Sequence, residues 1–456
     1  MKRVRLLLVG LIAPVLGCLG PPRTSGPLAV ATFQVDATPP PGSALCDALC
    51  APAKKVVDPL SARGIVLLHA GPPIVVCVLD WTGIGNGGYD AWREALAAAA
   101  GTTPDRVALH CIHQHDAPGC DFDAEKLLAA RGLSGSEFDP AFARKTIRSV
   151  QTAIRQAVAK PTPVTHVGLG QATVEKVASA RRILGPDGKV KYTRYSSCKD
   201  PVVQAAPEGV IDPKLRLISL WDGERPIVSM TYYATHPMSF YGRGAVSADF
   251  VGLARGLREA TLPDVFHMHF NGAGGNITAG KYNDGLPARR FELAGRLAQA
   301  MAAAWDSVRK YPITAEDVSW KAQPVRLPPS PRLVEADLLR ILDDPKESPR
   351  RRVAAARDLV WLRRCRQHVP MDITCLKLGP AYVLHMPGEL FVEYQLAAQA
   401  MRPDDFVCMA AYGDYGPGYI GTAIAYEQGG YETGPASRVG PGSEAVLLSA
   451  VRELLR

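Results

Sequence analysis

After Leu16 the 456-residue sequence contains no apolar run long enough to cross a bilayer, which takes about 20 residues. Helical membrane spans are thereby not expected beyond the N-terminus. Aromatic residues are few, 7% of the chain, and they do not interleave with the lysines and arginines as on a base-stacking surface. The formal net charge of +8 is spread along the whole length, so no nucleic acid is expected as a partner. No segment repeats, and no linker interrupts residues 28–456, which argues against arrays and against two separate domains. A complete P-loop is also lacking. Gly275-Asn276-Ile277-Thr278-Ala279-Gly280-Lys281 follows an apolar run and nearly spells one, but Tyr282 cannot supply the small hydroxyl that binds magnesium. No nucleotide is expected.

What is present begins with a targeting pattern. Lys2, Arg3 and Arg5 form a positive n-region, and Leu6 to Leu16 an apolar h-region of signal-peptide length. Val15-Leu16-Gly17-Cys18 resembles a bacterial lipobox with Cys18 as the residue to be lipidated. Plain cleavage and secretion is the alternative, because Leu16 is an unusual choice before the glycine. The expected order is a signal peptide over 1–18, a tether over 19–27 and one domain over 28–456, exported and held at a membrane surface through Cys18. Export permits disulfides among the ten cysteines. Cys46 and Cys50 lie close together in a loop-like segment, and Cys111 and Cys120 bracket a histidine stretch, but spacing does not give connectivity. Cys77, inside an apolar run, reads as a small buried hydrophobe.

Strand and helix patterns alternate from residue 28 onward. Leu28 to Thr38, Gly64 to Ala70, Pro73 to Asp80, Val164 to Val177, Leu215 to Leu220, Ile227 to Ala234, Val265 to Phe270, Thr374 to Met386 and Asp405 to Tyr412 read as strands or hairpins. Tyr89 to Ala100, Pro140 to Ala159, Phe250 to Glu259, Ala288 to Val308 and Gly442 to Leu455 read as helices, with apolar residues at helical spacing. Leu333 to Gln367 is helical and strongly basic from Arg350 to Arg366. It reads as a solvated charged face, with a lid or membrane-facing helix pair as the alternative. The fold class is α/β, with mixed β-sheets in the core flanked by helices in a single large domain.

Polar residues of unusual type stand where apolar runs end. The run from Arg106 delivers His113, Gln114, His115 and Asp116; residues two apart on a strand share a face, so the two imidazoles are expected on one side. His236 follows the strand ending at Ala234, and Glu389 follows a hairpin through Pro387-Gly388. Tyr415, Tyr419, Tyr426 and Tyr431 lie in a glycine-rich loop. A sheet fixes such loop ends, which is why function gathers there. Two histidines and a carboxylate form a common set for catalytic zinc. Inert strand-capping residues would read the same way from these stretches alone. Gly272, Gly274 and Gly275 would let backbone N–H groups face an oxyanion.

The order of these motifs resembles that of the neutral/alkaline ceramidase family over nearly the whole exported part. His113-Gln114-His115-Asp116-Ala117-Pro118-Gly119 is similar to the family's His-x-His-Ser-Gly-Pro-Gly. Ala234-Thr235-His236 is similar to its Ala-Thr-His, Pro387-Gly388-Glu389-Leu390-Phe391 to its Pro-Gly-Glu-Phe, and Tyr412 to Glu432 to its tyrosine loop. The resemblance implies a zinc amidase acting on a ceramide-like or other N-acyl, lipid-like substrate. By position His113, His236, Glu389 and Tyr419 would hold Zn2+. His115, Tyr431 and Arg181 would lie beside the substrate, and Thr278 stands nearest to the family's serine. Zinc lowers the pKa of water from about 16 towards roughly 7.

Three departures qualify what the resemblance implies. Asn276 and Thr278 stand where the family has Asp and Ser, Asp116 replaces a serine beside the histidines, and the sequence ends soon after the tyrosine loop, without the family's C-terminal β-sandwich. Two further readings are compatible with these residues: a non-catalytic surface lipoprotein on the same fold, and an esterase on the same scaffold.

Overall fold

Ile74–Leu79 and Val107–Cys111 are buried along their whole length and pair in parallel. Unbroken apolar runs suit strands covered on both faces. A parallel pair needs a crossover connection, and helix Asn86–Ala100 lies between the two strands. The same unit occurs twice more. Arg225–Tyr233 and Phe266–Asn271 pair in parallel around helix Asp249–Thr261. Ala381–His385 and Phe406–Ala410 do so around helix Val392–Met401. No sequence repeat accompanies this, so the repetition is one of topology alone. These features come from a computed structural model, which describes residues 27–456. The expected signal peptide, lipobox and tether up to Gly26 lie outside the described residues.

Each parallel pair forms one edge of a mixed sheet whose other neighbours are antiparallel. The first sheet runs Val107–Cys111, Ile74–Leu79, Ser61–Leu68, Ala29–Asp36 and Thr162–Pro163. The second runs Phe266–Asn271, Arg225–Tyr233, Lys214–Asp222, His166–Thr173 and Arg309–Pro312. The third runs Val318–Val325, Met371–Leu378, Ala381–His385 and Phe406–Ala410. Helix Pro140–Val158, capped by the Asp139 carboxylate and started by Pro140, buries Ile147, Val150 and Ile154 against the first sheet. The mixed α/β architecture expected from the sequence is the one observed.

The parallel edges meet at their carboxyl ends. Cys111 N–H donates to Tyr412 O at 3.0 Å and Ala411 N–H to Asn271 O at 2.9 Å, while the Asn271 amide donates to Ile112 O at 2.5 Å. Backbone of all three edges is thus cross-linked at one point, where loops leave the sheets. Ligand sites in α/β sheets lie outside such strand ends.

The basic segment departs from expectation. Helix Pro349–Arg366 is not a solvated face: Val353, Leu359, Val360 and Leu362 are buried, and so are Arg352, Arg357 and Asp358. Its arginines neutralise acids from distant segments, Arg357 pairing with Asp47 and Glu137 and Arg364 with Asp90. The cysteines of the described region are all unpaired, so no disulfide joins Cys111 to Cys120 or Cys46 to Cys50.

His110 and His385 sit where the first and third sheets touch. His110 Nδ1 lies 2.8 Å from Ala411 O, and its Nε2 is 3.0 Å from His385 Nδ1. Burial lowers His110 to about 4 and holds His385 well below its ordinary value, with His110 adding to the latter. The unfolded chain binds protons at both near pH 6.5 and the folded chain does not. Stability is therefore full above that pH and falls as pH drops towards about 4, by roughly 3 kcal/mol for His110 alone. Urea unfolding at pH 7 and pH 4.5 should give a lower midpoint in acid, and His385→Gln should shrink the gap. An undiminished gap in that variant would remove the pair as its cause.

Candidate active site

One ligand-type side chain comes from each of the three parallel units. His113 follows Val107–Cys111 with φ at +67°, a left-handed conformation that few non-glycine residues adopt. Strand alternation would put His113 and His115 on one side as they leave the strand end; the strand stops at Cys111, and the turn sets the two rings at 90° to each other. His236 follows Arg225–Tyr233, and Glu389 follows Ala381–His385 through Gly388, itself at φ +58°.

These three side chains are buried and converge. His236 Nε2 lies 2.9 Å from Glu389 Oε2 and 3.1 Å from the Tyr419 hydroxyl, and His113 Nε2 is 3.2 Å from the same carboxylate oxygen. Both Nδ1 atoms face backbone carbonyls: His113 that of Thr82 at 2.6 Å, His236 those of Gly274 at 2.6 Å and Ile277 at 3.0 Å. A carbonyl can only accept, so each Nδ1 carries the proton and each Nε2 turns a lone pair inward. The close approach of the rings to Glu389 is then no ion pair, and His113 Nε2 has no hydrogen-bond partner. Burial, reinforced by Arg181, lowers His236 to about 4 and keeps it neutral. Two lone pairs and a carboxylate facing one another are electrostatically unfavourable unless a cation lies between them. The ligand atoms of His113, His236 and Glu389 lie within 4.8 Å of one another. With the Tyr419 oxygen this is a nitrogen and oxygen set suited to zinc, its imidazoles oriented by outer hydrogen bonds in the usual manner.

Beside this centre lies a donor cluster. Arg181, fully buried, donates through Nη1 to the Tyr419 hydroxyl at 2.8 Å and to the Tyr431 hydroxyl, and the two phenol oxygens are 3.2 Å apart. Burial raises the Tyr431 phenol well above its ordinary range, despite the opposing Arg181, so it holds its proton. His115 packs edge-on against His113 and Tyr241, with ring centroids 5.3 and 4.9 Å apart. Burial and the neighbouring His113 and His236 lower it well below 6.5. A cavity of about 460 Å³ reaches this cluster, lined among others by His115, Arg181, Tyr195, Met238, Tyr241 and Tyr431, with Arg350 and Arg351 at its mouth. A larger cavity of about 680 Å³, around Arg216, Arg309 and Arg402, shares no residue with it.

The remaining expectations fare differently. Thr278 is buried and lines no part of this cavity; its hydroxyl accepts from Gly280 N–H at 3.2 Å. Its strand pairs with Ser179–Ala180, and Asn276 O accepts from Arg181 N–H at 2.8 Å, so this stretch positions the arginine. Asp116 turns away, accepting from Gly242 N–H at 3.0 Å. The glycine loop offers no inward N–H groups at its first and third glycines. Gly272 and Gly275 donate to Tyr233 O and Leu390 O, and it is the Gly274 carbonyl that meets His236. Glycine is required there by close approach: a Cβ on Gly275 would lie 2.2 Å from Glu389 O.

The sequence pattern names some contributors without marking their roles, and leaves out Thr82. Tyr415 donates to Glu389 Oε1 at 2.9 Å and fixes the carboxylate. Tyr412 stacks on His113 at 4.6 Å between centroids. Thr82, whose carbonyl sets the His113 tautomer, lies just beyond the strand Ile74–Leu79 and acts through its backbone, which residue type does not mark.

Neither a family model nor a curated protein matches the sequence. Solved structures do. Neutral ceramidase from Pseudomonas aeruginosa superposes with a TM-score of 0.66 at 15% identity, covering 94% of this chain and 74% of that one. A ceramidase complexed with C2 superposes at 0.65 and 16% identity, with the same coverage. The chain therefore has a ceramidase-like fold. That fold is the one implied by the four motifs.

Proposed function

We propose that the protein is a zinc-dependent amide hydrolase acting outside the cytoplasm on an N-acyl, lipid-like substrate. The carrying observation is the convergence of two inward imidazole lone pairs with Glu389 and Tyr419, beside the Arg181–Tyr431 donor pair. His113, His236, Glu389 and Tyr419 would hold the ion. Zinc supplies Lewis acidity and a water nucleophile at neutral pH. Everything else falls to the chain. The cavity admits an acyl group along Met238, Tyr195 and Tyr241 and brings its carbonyl to Arg181 and Tyr431. As the amide carbon becomes tetrahedral, its oxygen gathers negative charge. Two fixed donors in a site shielded from water stabilise that charge, each by on the order of 3 kcal/mol. His115 is neutral and, among the described residues, no protein group hydrogen-bonds to its ring, so it is free to take a proton and pass it to the leaving amine. The pattern at Cys18 supports a membrane-surface location, close to lipid substrates.

Hydrolysis of a fluorogenic N-acyl amide, alongside metal analysis of the purified protein, tests this reading. Tyr431→Phe removes one donor and no ligand. Its kcat should fall about 100-fold with the zinc content unchanged. Unchanged turnover in that variant, or no hydrolysis of any N-acyl chain length by the zinc-loaded protein, would end the proposal.

A further inference from the structure

A second set of metal-ligating side chains lies at the same cavity and shares only His115 with the chemistry above. Cys46 Sγ, Cys50 Sγ and one ring nitrogen of His115 all lie within 4.8 Å of one another. Cys46 is buried, Cys50 and His115 are half-buried, and Cys46 and His115 both line the cavity. The spacing, two cysteines separated by three residues, is usual for zinc sites, and two thiolates with one imidazole are a known zinc set that keeps a position open.

The backbone supports the assignment independently. Cys46, Asp47 and Ala48 occupy left-handed conformations in succession, with φ at +47°, +52° and +64°. Residues bearing side chains disfavour this region, and such strain persists only where surrounding contacts impose it. Here Cys46 N–H donates to Ala117 O at 2.8 Å, in the loop just beyond His115, and Asp47 is clamped by buried Arg357. The strained turn folds the two sulfurs back towards each other and ties them to the segment that carries His115.

We infer that Cys46, Cys50 and His115 form a second, thiolate-bearing site for a thiophilic divalent cation, whose occupation withdraws His115 from the reaction. Binding releases the two thiol protons to solvent, and the neutral imidazole gives its free lone pair. Two thiolates balance the dication, so the site stays uncharged. The binding itself is independent of the hydrolase reading; only its inhibitory effect rests on it.

Cobalt separates the two sites. The His113, His236, Glu389 and Tyr419 set contains no sulfur, whereas thiolate ligation gives a near-ultraviolet charge-transfer band. Titrating reduced, metal-free protein with Co2+ should produce that band with one of two equivalents. The band should be lost in Cys46→Ser/Cys50→Ser, which keeps the other equivalent, and kept in His236→Ala, which loses that other equivalent. His115→Gln, which leaves both cysteines in place, should weaken the band-forming equivalent. In wild type, excess Zn2+ should suppress hydrolysis, and the double cysteine variant should resist the suppression. A band-free titration with both thiols titrating as free would overturn the inference. So would thiol counting and peptide mapping that found Cys46 and Cys50 oxidised to each other in the protein as isolated, with His115 left outside. Loss of N-acyl hydrolysis under all conditions, with the band intact, would instead end the hydrolase reading and leave this site standing.

Discussion

Glu389→Gln is expected to abolish metal binding and hydrolysis while making the metal-free protein more stable. In the wild type, Glu389 Oε2 faces the Nε2 atoms of His236 and His113 at 2.9 and 3.2 Å. Both rings hold their protons on the far side, on Nδ1, against Thr82 O and Gly274 O. The carboxylate thus meets lone pairs with no proton between them. Glutamine has nearly the same shape. Its amide nitrogen, placed where Oε2 stands, donates to both imidazoles, and its oxygen still accepts from Tyr415, now 2.9 Å from Oε1. The substitution turns mutual repulsion into hydrogen bonds and removes a buried charge. A gain of about 1–2 kcal/mol for the metal-free form follows, within the range that binding sites commonly hold back from stability. The same change removes the anionic ligand, and with it several kcal/mol of transition-state stabilisation, or about a thousandfold or more in rate. Metal analysis, turnover and calorimetry of the chelated proteins check all three effects. A metal-free wild type that melts above Glu389→Gln would show that the three groups share a proton rather than await a cation.

The site was partly legible in the sequence. His113, His236 and Glu389 stood out because each ends a run whose apolar character fixes the preceding backbone, and a strand end is a place that periodicity can locate. What periodicity cannot locate is the direction of a hydroxyl or a carbonyl. Thr82 acts through its backbone oxygen, which no side-chain pattern marks. Tyr415 could not be ranked above Tyr426 in the same loop, yet only the former reaches Glu389. The topological repetition was also hidden, since each parallel pair is joined through a helix and the three units share no residues that a repeat search would align. Glycines after Asn271 suggested donors facing a ligand. The structure uses them for close passage and turns a carbonyl inward, and the residue type alone does not distinguish the two. Finally, a run of arginines signals solvent only when no acid lies opposite. The acids opposite Pro349–Arg366 include Asp47, Asp90 and Glu137, all more than 200 residues away in sequence.

Arg357→Met is expected to be the most destabilising single change on that helix, costing about 3–5 kcal/mol, whereas Arg350→Ala and Arg351→Ala should stay within about 0.5 kcal/mol. The contrast isolates burial from charge. Arg350 is exposed, and Arg351 keeps 61% of its side chain in water while pairing with Glu347 one turn away. Exposed pairs of this kind contribute little. Arg357 instead is buried, forks between Asp47 and Glu137, with Nε 3.5 Å from a Glu137 oxygen, and lies over the Tyr415 ring at 5.0 Å. Methionine fills the volume of the stem but leaves the two carboxylates without a cation, and neither oxygen of Glu137 has a hydrogen-bond donor to fall back on. The penalty should depend on pH with a defined sign. Burial, joined by the nearby Asp121, raises the Glu137 pKa well above 4.5, and Arg357 is the charge that opposes this. Removing the arginine raises it further. A carboxyl with a raised folded-state pKa contributes fully below its unfolded value and loses that contribution as pH rises through the folded one. The gap between wild type and Arg357→Met should therefore be smallest near pH 5 and widen towards pH 8, as denaturant unfolding at several pH values would read out. Arg357→Lys restores the charge but not the fork, and should recover part of the loss. Because Asp47 sits in the strained turn beside Cys46 and Tyr415 holds Glu389, the same variant should also bind metal more weakly. A loss below 1 kcal/mol at pH 8 would mean that water already solvates this cluster, and that the arginine is there for reasons other than charge.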